Sequence, residues 1–467
     1  MTYRAAELGR SRNRTTTINK ATKNVLRIRS DLLALALFCA SLLLLAFGYG
    51  VAVGRFEIFP YAVITDAVSS AQAMRMRLSE EKSWLYSATT YSSKLPTYLP
   101  DAAYPGLNLV TAVEADNRLT AYVMDMGGKI IHSWEVDWFK VWPDATHLPE
   151  NAVPRERPGT HLHGAVVLDD GDIVYNYEHL GLVRLDLCGD VVWRLPYRTH
   201  HSIHHDDDGD LWVSAQINRD GEPTGYPNHR PVFIEPIILE VSQDGKIKSE
   251  IPVLELLRDN GLSGLLYMST KKQRDTSVTG DTMHLNDVEP FSSIMQPGVF
   301  SPGDLLVSLR NIHTVFVFTV ATRKIKHVWT GDFVRQHDPD FLDGNTISVF
   351  DNNNISKEAG RQQSRIVLLS AASGERTVYY AGSDDAPFYS DIMGKTQWLP
   401  NGNLLISESM KGRAFEIDRD GRVVWEYINL VGDGYAAVME EVQRLPERMN
   451  DAYSESNVSA KCAKAHD

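Results

Sequence analysis

His163, His201 and His337 share one register. Each stands five positions before the residue that opens a Gly-containing turn, namely Leu168, Asp206 and Leu342. A fourth such turn, at Leu399, carries Gly394 in that place. His284, in Met283-His284-Leu285-Asn286-Asp287-Val288, precedes a longer excursion to the turn at Pro302, and Arg310 follows one strand later. A cluster of neutral imidazoles can bind zinc or another metal. Arg changes the choice. Its planar fork suits sulfate or phosphate oxygens, and imidazole supplies a nucleophile and a proton donor. A cation among metal ligands opposes metal binding, and phosphoryl transfer recruits magnesium through carboxylates. The set therefore points to a sulfate monoester, with no metal and no cofactor. A lone His is most often a satisfied surface or core residue, and repetition at one register sets these apart. His204 and His205 keep that ordinary reading, since one side of a strand faces the centre. Asp206-Asp207-Asp208-Gly209-Asp210 is an acidic turn, because a calcium loop's bidentate Glu is missing.

Two alternating turn signals place these residues. One is an acidic or small residue, a Gly turn and a strand, as in Asp125-Met126-Gly127-Gly128, Asp186-Leu187-Cys188-Gly189, Ser242-Gln243-Asp244-Gly245 and Asp418-Arg419-Asp420-Gly421, with weaker copies at Ala321-Thr322-Arg323 and Ala372-Ser373-Gly374. The other includes Leu168-Asp169-Asp170-Gly171 and Leu399-Pro400-Asn401-Gly402. Two hairpins per period make a four-stranded unit, and such periods indicate propeller blades. The expectation is an all-β, six-bladed β-propeller over 104–430, preceded by a transmembrane helix and a short spacer helix. A β-sandwich does not explain the alternation of turns. Equivalent blade positions ring the axis, so the His should meet at one channel mouth. Tyr175, Tyr177, Phe333 and Trp398 are candidates for its apolar wall, with blade packing the plainer role.

The N-terminus sets the location. Leu32 to Gly54 is uncharged, 23 residues long, and at about 1.5 Å per residue spans the roughly 30 Å hydrocarbon core. Arg4, Arg10, Arg12, Arg14, Lys20, Lys23, Arg27 and Arg29 precede it. That bias keeps the N-terminus cytoplasmic and sends the rest across, to the periplasm in a bacterium. The division is a basic tail (1–30), an anchor (31–54), a spacer helix over Ala62–Tyr86 and a Pro-rich linker (55–103), the propeller (104–430), and a helix over Tyr435–Arg448 with a disordered tail (431–467). With a net charge of -13, nucleic acid is a poor partner. Three cysteines exclude a disulfide scaffold or a multi-thiolate zinc site, although Cys188 and Cys462 could meet in an oxidising compartment.

At His284-Leu285-Asn286, Gly303-Asp304-Leu305-Leu306-Val307-Ser308-Leu309-Arg310-Asn311, Gln336-His337-Asp338, Val349-Phe350-Asp351-Asn352 and Gln397-Trp398-Leu399-Pro400-Asn401-Gly402-Asn403, the sequence resembles the PAPS-independent aryl-sulfate sulfotransferases. The resemblance covers most of 104–428. It implies a six-bladed propeller that moves a sulfuryl group from a phenolic ester to a phenol without a nucleotide. It further implies His337 as nucleophile, with His201, His284 and Arg310 at the anion site. Asn286, Asn311, His163 and His200 are the substrate-binding candidates beside them. The anchor and spacer, and Ser202 where the family carries an acid, depart from the usual pattern. The alternatives are a metal-dependent propeller hydrolase or lyase using the His ring, and a non-catalytic propeller scaffold. Oligomeric state is not set by the sequence.

Overall fold

The computed structural model describes residues 7–56, 58–61, 64, 84–221, 225–270, 277–355, 362–383, 386–432 and 434–465. They fall into two units, Met1–Ser83 and Trp84–Asp467.

In the first unit the helix α1 runs over Glu7–Phe56. Its stretch Arg29–Phe56 is long and apolar enough to cross a membrane, and none of its apolar window is buried against protein. From Glu7 onward the basic segment belongs to the same helix as the apolar stretch. The expected spacer helix lies almost wholly outside the described residues. Its described end, Tyr86–Ala88, is a strand.

The second unit is a β-propeller. Its innermost strands are β1 (Leu162–Val167), β2 (Thr199–His205), β3 (Leu285–Pro290), β4 (His337–Phe341), β5 (Lys395–Trp398) and β6 (Met439–Arg444). Each begins an antiparallel run of four strands, and each packs against the next, with β6 returning to β1. The alternating turns are therefore the two hairpin ends of a sheet, except in the sheet begun by β6, whose first two strands come from opposite ends of the domain. In the first kind, Gly128, Gly189, Gly245 and Gly421 donate their N–H to the carbonyls of Asp125, Asp186, Ser242 and Asp418. Apolar clusters fill the spaces between neighbouring sheets, as in Leu306, Val315, Phe341, Ile347, Val349 and Val367, all nearly inaccessible to solvent.

Three sequence expectations need correction. Tyr435–Arg448 is not a helix: Tyr435–Ala437 and β6 are strands. β6 pairs with Asn108–Val113 and closes the ring by completing the sheet that the start of the domain opens. The alternation of Val438, Val442 and Leu445 with charged residues concealed a strand buried on both faces. Residues after 450 are ordered as Met449–Ala452 and as α2, Glu455–Ala465. The Pro-rich segment is part of the domain: Thr97–Tyr98 pairs with Val423–Ile428, and Ala103 is buried. Cys188 and Cys462 form a disulfide, with Cα atoms 5.4 Å apart, that ties α2 to the turn at Asp186.

Candidate active site

The inner strands are bulged where the His register falls. Pairing slips between Leu162 and Ala165 on β1, His200 and Ile203 on β2, Leu285 and Asp287 on β3, and His337 and Asp340 on β4. A bulge bends the strand and re-aims its side chains. His201 (φ 58°) and His284 (φ 55°) sit in the left-handed region, at a cost of about 1–2 kcal/mol each. Gly394 occupies the fourth register position because nothing larger fits. A Cβ there would lie 2.4 Å from the Phe350 ring.

The rings meet as the register requires. His163 and His201 are 3.7 Å apart between centroids, His201 and His284 4.9 Å, and His201 and His337 6.0 Å. His163, His201, Asn286 and His337 share a narrow cavity with Lys395 and Glu440. Both His200 and His201 are buried, but only His201 lines that cavity. His200 stands behind it, Nδ1 to Nδ1 at 2.8 Å.

His337 is held in one tautomer. Its Nδ1 lies 2.6 Å from Asn352 Oδ1. Asn352 Nδ2 donates to the carbonyls of Ser390 (2.9 Å) and Met393 (2.7 Å), which fixes the amide's orientation. The proton is therefore on Nδ1, and Nε2 carries a lone pair. Nε2 is buried without a hydrogen-bond partner. Burial, then the charge of Arg310, holds this imidazole well below its usual pKa. It is neutral at pH 7.

The other imidazoles form a chain. Asp281 Oδ2 bonds His284 Nδ1, His284 Nε2 is 3.3 Å from His201 Nε2, and His201 leads to His200. Arg310 follows the strand Asp304–Leu309, and its backbone N–H donates to His284 O at 3.0 Å. Its Nε donates to Asn311 Oδ1 at 3.2 Å, and Asn311 donates to Asp281 O at 3.0 Å. Asn311 thus steadies Arg310, while Asn286 donates to the backbone of Gln336 beside His337 (2.8 Å). Burial lowers Arg310 to about 10, so it remains a cation at neutral pH.

The four aromatic wall candidates do not line this cavity. Tyr175, Tyr177 and Phe333 are fully buried between sheets, and Trp398 donates to Ser348. His204 faces the buried carboxylate of Asp287 at 3.2 Å, and His205 is exposed. Asp206 accepts from Trp212 and its own turn. Sequence reasoning missed Asp281, three residues before His284, and gave Asn352 no role although it ends the quoted segment Val349-Phe350-Asp351-Asn352. It also missed Glu178, in the turn after the strand Ile173–Tyr177, Lys395 at the start of β5, and Glu440 on β6.

No curated protein sequence matches the chain. Among solved structures it is similar to a protein of unknown function from Bacteroides caccae (14% identity, TM-score 0.45, covering 73% of this chain and 100% of that one). It is also similar to a streptogramin B lyase (13%, 0.38, covering 74% and 89%) and to the WD40 β-propeller domain of Doa1 (9%, 0.38, covering 78% and 98%). The arylsulfotransferase (ASST) family model matches residues 164–430, more than half of the sequence, from within β1 to just past the strand Val423–Ile428, and the chain belongs to that family.

Proposed function

We propose that the protein is a membrane-anchored aryl-sulfate sulfotransferase that works through a sulfohistidine on His337, with α1 as anchor and the propeller on the extracytoplasmic side. One observation carries the chemistry: the His337 imidazole is neutral, its proton fixed on Nδ1 by Asn352, and its Nε2 lone pair is unused. Nε2 attacks the sulfur of a phenolic sulfate in line, the S–O bond to the aryl group breaks, and the ring becomes an N-sulfoimidazolium. Its positive charge strengthens the Nδ1–H bond to Asn352. Arg310 balances the negative charge on the sulfuryl oxygens, where a preorganised cation helps most. The departing phenolate takes a proton from His284, which Asp281 orients and His201 couples to the interior. An incoming phenol returns that proton to His284, attacks sulfur, and restores neutral His337.

Location is supported by two features. α1 has a basic N-terminal half followed by an unburied apolar stretch, the pattern that retains the N-terminus in the cytoplasm. The Cys188–Cys462 disulfide suits an oxidising compartment. The test is 4-nitrophenyl sulfate without nucleotide. Nitrophenolate release that phenol accelerates and that vanishes in His337→Asn is the expected result. Undiminished release in that variant removes His337 from its role.

A further inference from the structure

Beside the transfer site the channel holds a second cluster, unused by the chemistry above. His161 precedes β1, His163 lies on it, and Glu440 lies on β6; all three are buried. Each offers one ligand atom, and these atoms lie within 4.8 Å of one another. His161 Nε2 is 3.5 Å from Glu440 Oε1, and His163 Nε2 is 3.8 Å from Glu440 Oε2. Glu178 reaches both imidazoles, with Oε2 3.0 Å from His161 Nε2 and Oε1 3.4 Å from His163 Nδ1.

Close as they are, these groups do not satisfy one another. His161 Nε2 and both oxygens of Glu440 make no hydrogen bond. Buried polar atoms are nearly always paired, and each orphan costs about 1–3 kcal/mol. These three orphan atoms, on two side chains that approach to 3.5 Å, call for a partner that accepts lone pairs. Tetrahedral coordination with bonds of about 2.0–2.2 Å places ligand atoms about 3.3–3.6 Å apart, close to the two spacings from Glu440 to the imidazoles, 3.5 and 3.8 Å.

We propose that His161, His163 and Glu440 form a binding site for a divalent transition metal of the zinc class. Two imidazoles and a carboxylate suit zinc, copper or nickel, whereas calcium and magnesium favour all-oxygen sets. Glu178 accepts from His163 Nδ1–H and leaves Nε2 for the metal, the usual carboxylate–histidine arrangement behind a ligand. Trp84 covers His161 edge-on at 5.5 Å between centroids. Because His163 lies against His201, with ring centroids 3.7 Å apart and planes tilted by 39°, the metal also fixes one wall of the transfer site. The site does not rest on the sulfuryl-transfer reading.

The test uses the untagged full-length chain in detergent, stripped with EDTA, dialysed, and titrated with Zn²⁺ alone. One zinc per chain is expected, with a rise in Tm of about 3 °C at a hundredfold excess over Kd. His161→Ala and the isosteric Glu440→Gln should lose both, while His337→Asn keeps them. Melting of the zinc-free Glu440→Gln variant near the wild-type temperature shows that it folds. Failure of the wild type to take up stoichiometric zinc overturns the proposal. So does zinc that survives both substitutions, or zinc lost in His337→Asn, which would assign the metal to the transfer imidazoles.

Discussion

Replacing Asn352 with Leu tests how His337 is made nucleophilic. The side chains have similar volume, and the change removes one acceptor, Oδ1 at 2.6 Å from Nδ1. In the resting enzyme that bond joins two neutral groups, worth about 0.5–1.5 kcal/mol. Once sulfur is bound to Nε2 the ring is cationic, and the same bond is worth about 1.5–3 kcal/mol. Only the difference between the two, about 1–1.5 kcal/mol, is lost on the way to the intermediate, so the rate of sulfuryl uptake should fall by about 5- to 13-fold. Loss of tautomer control acts in the same direction, since a ring protonated on Nε2 cannot attack. The Met393 carbonyl also loses its donor and the Ser390 carbonyl one of two, keeping the Ser364 hydroxyl, so stability should fall as well. Pre-steady-state release of nitrophenolate isolates the first half-reaction, and thermal melting at the assay temperature establishes that the variant is folded. A folded Asn352→Leu enzyme whose burst rate lies within twofold of wild type would refute the reasoning.

Burial and Arg310 depress His337. A depressed base stays unprotonated, hence active, as pH falls below 6.5, so the first half-reaction should be flat from pH 8 to 6. An acid limb centred near 6.5 would contradict this. Arg310→Met should slow sulfuryl transfer by about a hundred-fold or more and move any acid limb upward, because a charge opposing protonation is gone; stopped-flow pH profiles measure both. Asp281→Asn should slow transfer from phenyl sulfate far more than from 4-nitrophenyl sulfate, since a poor leaving group needs the proton more. Equal losses on the two donors would remove His284 as the acid. Cys462→Ser should lower Tm by several degrees, in keeping with about 2–4 kcal/mol for a disulfide, while kcat stays near wild type because Cys188 lies in an outer turn. A soluble fragment starting at residue 84 should melt higher than one starting at 90, because Tyr86–Ala88 pairs with Tyr435–Ala437.

The sheets were legible because their hairpin turns carry fixed chemistry: an acid or Ser, then Gly at positive φ, as at Gly128, Gly189 and Gly245. The His register was legible because blade repetition converts equal spacing in sequence into proximity in space. Ring closure was hidden. β6 lies far from its partner Asn108–Val113 in sequence and carries Glu440, Glu441 and Gln443 where a strand signal would be apolar. Those carboxylates point into a polar channel, so the binary pattern fails where the site needs charge. Asn352 and Asp281 escaped for a related reason. Their role lies in which atom they face, and composition does not encode that.

The most direct test of the central claim is to quench the enzyme with 4-nitrophenyl sulfate in the absence of acceptor and map the adduct by mass spectrometry. One SO₃ group is expected on the peptide bearing His337, discharged by added phenol and absent from His337→Asn. Turnover with no adduct, or with one on any other residue, would contradict it.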